Sequence, residues 1–186
     1  MTLPPSQLIL ITGMTGSGKT TLARYAEEHG YSIVTMGDVI RDLAKERGLE
    51  PTPRNLGLVA KYIRREEGDA AVARRCIERL RREEGARVVV DGIRSLKEVD
   101  AFMEAHSDIS LVAIHASPKT RFLRLKRRGR SDDPKDWKAF SERDRRELSF
   151  GVGSAIAMAG QMIVNEGSQP DLKRAFEWLM EGLNEA

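Results

Sequence analysis

Residues 8–20 read Leu8-Ile9-Leu10-Ile11-Thr12-Gly13-Met14-Thr15-Gly16-Ser17-Gly18-Lys19-Thr20. A short aliphatic run of this kind suits a strand buried on both faces. The next eight residues satisfy G-x-x-x-x-G-K-[ST], in which glycines let the main chain wrap a phosphate with its N–H groups turned inward. Lys19 sets a cation against the β- and γ-phosphates, and Thr20 offers a hydroxyl to Mg²⁺. The helical pattern that opens there turns its positive dipole end toward the same phosphates. A strand before and a helix after are the context the motif requires. Gly13, Met14, Thr15, Gly16, Ser17, Gly18, Lys19, Thr20 and Thr21 are therefore the expected residues of a purine nucleoside triphosphate site, with ATP and Mg²⁺ as cofactors.

Outward from this stretch, apolar runs and amphipathic segments alternate. Leu8–Thr12, Tyr31–Thr35, Arg87–Asp91, Ile109–Ala116 and Gln161–Asn165 read as buried strands. Helical spacing covers 19–29, 37–48, 54–84, 95–105, 118–148 and 170–184. Strict alternation predicts an α/β fold, a parallel sheet with helices on both faces, whose ligands bind outside the carboxyl ends of the strands. The segment Arg-Arg-Glu-Glu-Gly, at Arg64–Gly68 and Arg81–Gly85, reads as two charged helix ends each followed by a capping glycine.

Composition narrows the function classes. With 186 residues, 40% hydrophobic and 32% charged, the chain fits one globular domain, 1–186, and lies outside the disordered range. Its aliphatic runs are too short for a membrane span, and no basic leader precedes them. A lone cysteine, Cys76, and three scattered histidines offer neither a disulfide nor metal-ligand spacing, so a cytoplasmic protein is expected. A net charge of +3 is too small to imply nucleic acid. Oligomeric state is left open.

Asp91 ends a buried strand, where it can bind Mg²⁺ together with Thr20. Asp38 and Arg41 open the segment after the second strand, and Arg94 follows Asp91 by three residues. Two guanidinium groups at one sheet edge suit an anionic second substrate. The densest cation run, Arg121, Arg124, Lys126, Arg127, Arg128 and Arg130, is followed by Arg143, Arg145 and Arg146. It reads as a solvated face, as a nucleic-acid patch, or as a lid, about 127–146, that closes Arg128 over transferring phosphate, the last being what phosphoryl transfer favours.

These motifs resemble the nucleotide-kinase group of P-loop proteins, which includes adenylate kinase and dephospho-CoA kinase, and within it the small archaeal adenylate-kinase-related proteins. The resemblance implies a three-layer α/β/α P-loop NTPase fold with sheet order 2-3-1-4-5. It likens Gly37-Asp38 with Arg41 to the acceptor-side motif, in a helical insertion about 37–84, and Asp91-Gly92 with Arg94 to the strand motif that grips acceptor phosphate. Arg128–Asp133 resembles a short lid. Ile163–Ser168 resembles the segment beside the adenine of ATP, placing Asn165 and Gly167 among nucleotide contacts. Arg47–Gly68 matches no base-reading pocket.

Lys19, Asp38, Asp91, Arg94 and Arg128 form the expected catalytic set, with Asp38, Arg41 and Arg94 on the acceptor. The expected reaction moves the γ-phosphoryl of MgATP to a small nucleotide-type acceptor. A nucleoside monophosphate needs no base, whereas a ribose hydroxyl, as in dephospho-CoA, needs a carboxylate such as Asp38. The alternative is an ATPase switch without a small acceptor.

Overall fold

The computed structural model describes residues 7–80, 87–130 and 133–185. Five parallel strands, β1 (Gln7–Thr12), β2 (Ser32–Thr35), β3 (Arg87–Ile93), β4 (Ile109–His115) and β5 (Gln161–Val164), form one sheet in the order β2-β3-β1-β4-β5. The helices are α1 (Lys19–Glu28), α2 (Met36–Glu46), α3 (Pro53–Glu67), α4 (Ala71–Leu80), α5 (Leu96–Ala105), α6 (Pro118–Arg128), α7 (Trp137–Ser149), α8 (Val152–Ala157) and α9 (Gln169–Glu185).

The continuous apolar run of β1 has a simple cause: it faces two cores. Leu8 and Leu10 point into one with Val88 and Val90, roofed by residues of α2 to α5 and α8. Ile9 and Ile11 point into the other with Val89, Val112 and Ile114, covered by α1 and α9. Alternate residues thus serve opposite faces, as a period of two requires. Cys76 lies inside the first core, where burial pushes its thiol up to about 12, so it is no nucleophile at neutral pH.

The expected sheet and its order are found, but two long helical segments are broken. The stretch 54–84 contains α3 and α4, parted at Gly68, whose φ is 89°. The Arg64–Gly68 segment does end α3 as read, while its copy at Arg81–Gly85 lies outside the described residues. The stretch 118–148 contains α6, which stops at Gly129, and α7, which starts at an Asp136 N-cap whose carboxylate accepts from the Ala139 N–H. Residues 131–132 of the expected lid lie outside the described residues. Six-residue α8 is too short for periodicity to reveal.

Phe102, fully buried on α5, is a sensitive reporter of the first core. Phe102→Ala should cost about 3–5 kcal/mol, and Leu58→Ala, at a half-exposed position on α3, within about 0.5 kcal/mol, both read from urea midpoints at constant m-value.

Candidate active site

The glycine-rich turn between β1 and α1 is folded by what surrounds it. A side chain at Gly13 (φ 145°) would strike the Ile114 carbonyl, and one at Gly18 (φ 113°) would strike the Asn165 amide. The carbonyls of Gly13, Met14, Thr15, Ser17 and Gly18 all accept hydrogen bonds. Lys19 Nζ donates to Gly13 O at 2.7 Å and to Met14 O at 3.2 Å. Arg121 Nη1 donates to Thr15 O at 3.2 Å, Asn165 Nδ2 to Ser17 O at 2.8 Å, and the Thr21 and Leu22 N–H groups to Gly18 O. A glycine-rich turn whose carbonyls are engaged, running into a helix N-terminus that no side chain caps, is an arrangement that suits an anion-binding nest.

Across from the nest, Asp91 is buried near the carboxyl end of β3, which runs two residues past the expected end at Asp91 to Ile93. Thr20 Oγ1 donates to its Oδ2 at 3.4 Å, and its Oδ1 has no hydrogen-bond partner among the described residues. Burial pushes the Asp91 carboxyl above its ordinary range against the pull of Lys19 and Thr20. Burial likewise lowers the Lys19 ammonium, opposed by Asp91 and Glu147. A buried carboxylate with an unpartnered oxygen beside a threonine hydroxyl is a donor set that suits Mg²⁺.

Strand register brings Thr35 of β2 opposite Asp91, so Asp38 in the first turn of α2 sits at the same edge. Asp38 accepts from the Thr35 hydroxyl and from Arg41, whose Nε lies at 3.0 Å. Burial opposes its ionisation, but Thr35 and Arg41 outweigh it and hold the carboxyl below its usual range. Arg94 follows β3; its N–H donates to fully buried Glu98 at 2.8 Å, and Arg64 Nη2 donates to the other oxygen at 2.8 Å. The Arg94 guanidinium stands half-exposed, 3.6 Å from Glu147.

The cation run divides by direction. Arg121 is buried: besides Thr15 it donates to Ala116 O at 3.1 Å and to Asp144 Oδ1 at 2.8 Å, with Phe140 under its guanidinium at 5.0 Å. Arg124 donates to Asn165 O at 3.0 Å, Asn165 Oδ1 at 3.2 Å and Gly167 O at 3.3 Å. These two arginines brace the turn and the loop after β5. Asn165 therefore works as a strap between that loop and Ser17, and Gly167 contributes its carbonyl to the same brace. Arg128, at the end of α6, donates to Asp133 at 2.9 Å.

Glu147 of α7 escaped the sequence reading. It accepts from the Thr15 N–H at 3.0 Å and from the Thr15 hydroxyl, with Arg143 Nε at 3.5 Å. Burial opposes its ionisation, yet Arg94, Thr15 and Lys19 together keep its carboxyl below the usual range. The i, i+4 spacing from Arg143 was its one signal in the sequence.

Beside Arg94 a cavity of about 300 Å³ opens between α3, the start of α5 and the α7–α8 turn, lined in part by Arg64, Ser95, Lys97, Ser149, Phe150 and Ser154. No helix among the described residues is long and apolar enough to cross a membrane.

The sequence model of a family described as an AAA domain matches residues 9–148. A UPF0200 protein of Methanocaldococcus jannaschii is 48% identical over 182 residues, covering 95% of this chain and 91% of its own. One of Hyperthermus butylicus is 43% identical, covering 95% and 94%. Among solved structures, TT1252 from Thermus thermophilus superposes with a TM-score of 0.67 at 23% identity, covering 97% of this chain and 99% of its own. Shikimate kinase from Acinetobacter baumannii, in complex with shikimate, gives 0.59 at 19%, covering 97% and 94%. The fold is thus that of P-loop kinases; the named relatives do not single out adenylate kinase within it.

Arg121→Met should cost about 3–5 kcal/mol in urea unfolding, because it strands Asp144 beside a loop carbonyl that has lost its donor. Asp38, Asp133 and Glu147 all have lowered carboxyl values. Their contribution is present above the unfolded-chain values and lost as pH falls through the folded ones. Urea midpoints should therefore drop as pH falls below about 4.5, beneath the range in which the raised Asp91 acts with the opposite sign, and a flat profile there would contradict these pairings.

Proposed function

The chain belongs to the UPF0200 family and carries the AAA domain, and from that premise we propose that it is an ATP-dependent phosphotransferase acting on a small nucleotide-type acceptor. The observation that carries this reading is the unpartnered Asp91 oxygen set across the nest from Lys19 and Thr20.

The nest and the α1 N-terminus bind the phosphate chain of ATP. Lys19 leaves the Gly13 and Met14 carbonyls for the β- and γ-phosphates, which supply the anion its buried ammonium otherwise lacks. Thr20 and Asp91 would hold Mg²⁺, whose chemistry is to neutralise charge gathering on the β- and γ-phosphate oxygens. Arg94 grips the incoming acceptor, whose body occupies the adjoining cavity against Phe150 and Lys97. An acceptor oxygen forms a bond to the γ-phosphorus while the bond to the bridging oxygen breaks and its electron pair leaves with ADP. Asp38 is already ionised and engaged by Arg41, which makes it a weak base and a firm anchor. That favours a phosphate acceptor, a nucleoside monophosphate, over a ribose hydroxyl.

The test is ADP release from MgATP with no acceptor and with AMP, CMP, UMP, GMP or dephospho-CoA. One monophosphate should stimulate release by about tenfold or more, and Lys19→Ala should lower the rate by about 10²-fold or more. Asp38→Asn should raise the acceptor KM and leave kcat within about threefold. A fall in kcat of about 10²-fold with dephospho-CoA as the active acceptor would instead assign Asp38 the base. An acceptor-independent rate across the panel would remove the kinase reading.

A further inference from the structure

Glu147 is a buried anion seated on the phosphate-binding turn. Only 7% of its side chain is exposed, and its surroundings are those a phosphoryl group requires: the Thr15 N–H, the Thr15 hydroxyl, and the guanidinium groups of Arg94 and Arg143 at 3.6 and 3.5 Å. Lys19 also lies close enough for its charge to act on this carboxylate. The place along the phosphate chain follows from the neighbours. Lys19, which the nucleotide reading sets against the β- and γ-phosphates, is near enough for its charge to act on Glu147, and Glu147 sits at the Thr15 end of the turn beside Arg94, the residue before the cavity-lining Ser95. A terminal phosphate belongs there.

We propose that Glu147 is the protein's own stand-in for the γ-phosphate, displaced by a nucleoside triphosphate and left in place by a diphosphate. This rests on the nucleotide reading given above. Two anions cannot share the Thr15 N–H and the same two guanidinium groups at close range without strong repulsion. A γ-phosphate entering this end of the nest therefore drives Glu147 off, and Glu147 takes α7 with it. Arg94 and Arg143 then pass from the carboxylate to the phosphoryl group. ADP, with no γ-phosphate, leaves Glu147 on Thr15 and α7 where it stands. Glu147 so acts as a specificity-determining residue: it reports the terminal phosphate to α7, whose C-terminal Ser149 and following Phe150 line the cavity beside Arg94.

The experiment uses the full chain, with MgADP and the Mg²⁺ complex of the β,γ-imido analogue of ATP as probes in titration calorimetry. Glu147→Gln, which keeps the shape and removes the charge, should bind the analogue about tenfold more tightly than the wild type and ADP within about twofold. Glu147→Asp, which withdraws the carboxylate by one methylene, should tighten the analogue by about threefold, and serves should Glu147→Gln melt early. Hydrogen exchange gives a second readout. In the wild type the analogue should speed exchange across 137–149 and ADP should not, while in Glu147→Gln exchange there should be fast without nucleotide. Analogue affinity in a folded Glu147→Gln protein equal to or weaker than wild type overturns the proposal and leaves the nucleotide reading standing. So does exchange in α7 that ignores the analogue. Failure of wild type and variant alike to bind either probe overturns the nucleotide reading, and the proposal with it.

Discussion

Everything at the carboxyl edge depends on one constraint: the turn from Gly13 to Gly18 can present its N–H groups inward only if its carbonyls are held outward by donors from elsewhere. A peptide dipole left without partners costs free energy when buried. Here the donors come from three separate parts of the chain, namely the first turn of α1 with Lys19, Arg121 on α6, and Asn165 after β5. At Gly18 the missing side chain lets the Asn165 amide come close, and that amide claims the Ser17 carbonyl. The motif is local in sequence, but its geometry is a tertiary product.

Charge at this edge is nearly balanced within the protein itself. Arg121 faces Asp144, Arg41 faces Asp38, Arg128 faces Asp133, and Arg94 and Arg143 share Glu147. Asp91 is the member with an open oxygen, and burial acts on it with little relief. A site that keeps one carboxylate under such conditions gives up stability at neutral pH, where the unfolded chain's carboxyl ionises freely. The same oxygen is what recommends the site for a divalent cation.

The sequence made the sheet legible because buried parallel strands are short apolar runs and because Gly13–Thr20 marks the first of them. Element boundaries failed where a helix-like pattern ran through a break, as at Gly68, since charged residues on both sides keep the spacing of a solvated face. The cation run was only partly legible for a related reason. Arg121, Arg124 and Arg128 are three and four residues apart and share one face of α6, so periodicity groups them and cannot say which side the group faces. The structure turns Arg121 and Arg124 inward onto carbonyls and leaves Arg128 with Asp133. Glu147 was hidden because its partner, Thr15, lies 132 residues away and no local pattern announces a contact of that range.

Those long-range contacts also decide how the two halves of the site communicate. Asp144 and Glu147 are three residues apart on α7 and look the same way, the first to Arg121 and the second to Thr15. Both anchors end on the same residue of the phosphate turn, since Arg121 also holds the Thr15 carbonyl. The position of α7 is therefore set by Thr15 through its carbonyl on one side and its N–H on the other. Past Ser149 the chain runs straight into the wall of the cavity beside Arg94. A shift of Thr15 by a bound anion has a short, packed path to that wall, with no flexible linker along α7 to absorb it. The cavity lined by Ser149 and Phe150 is thus shaped in part by the end of the same helix that is anchored on Thr15.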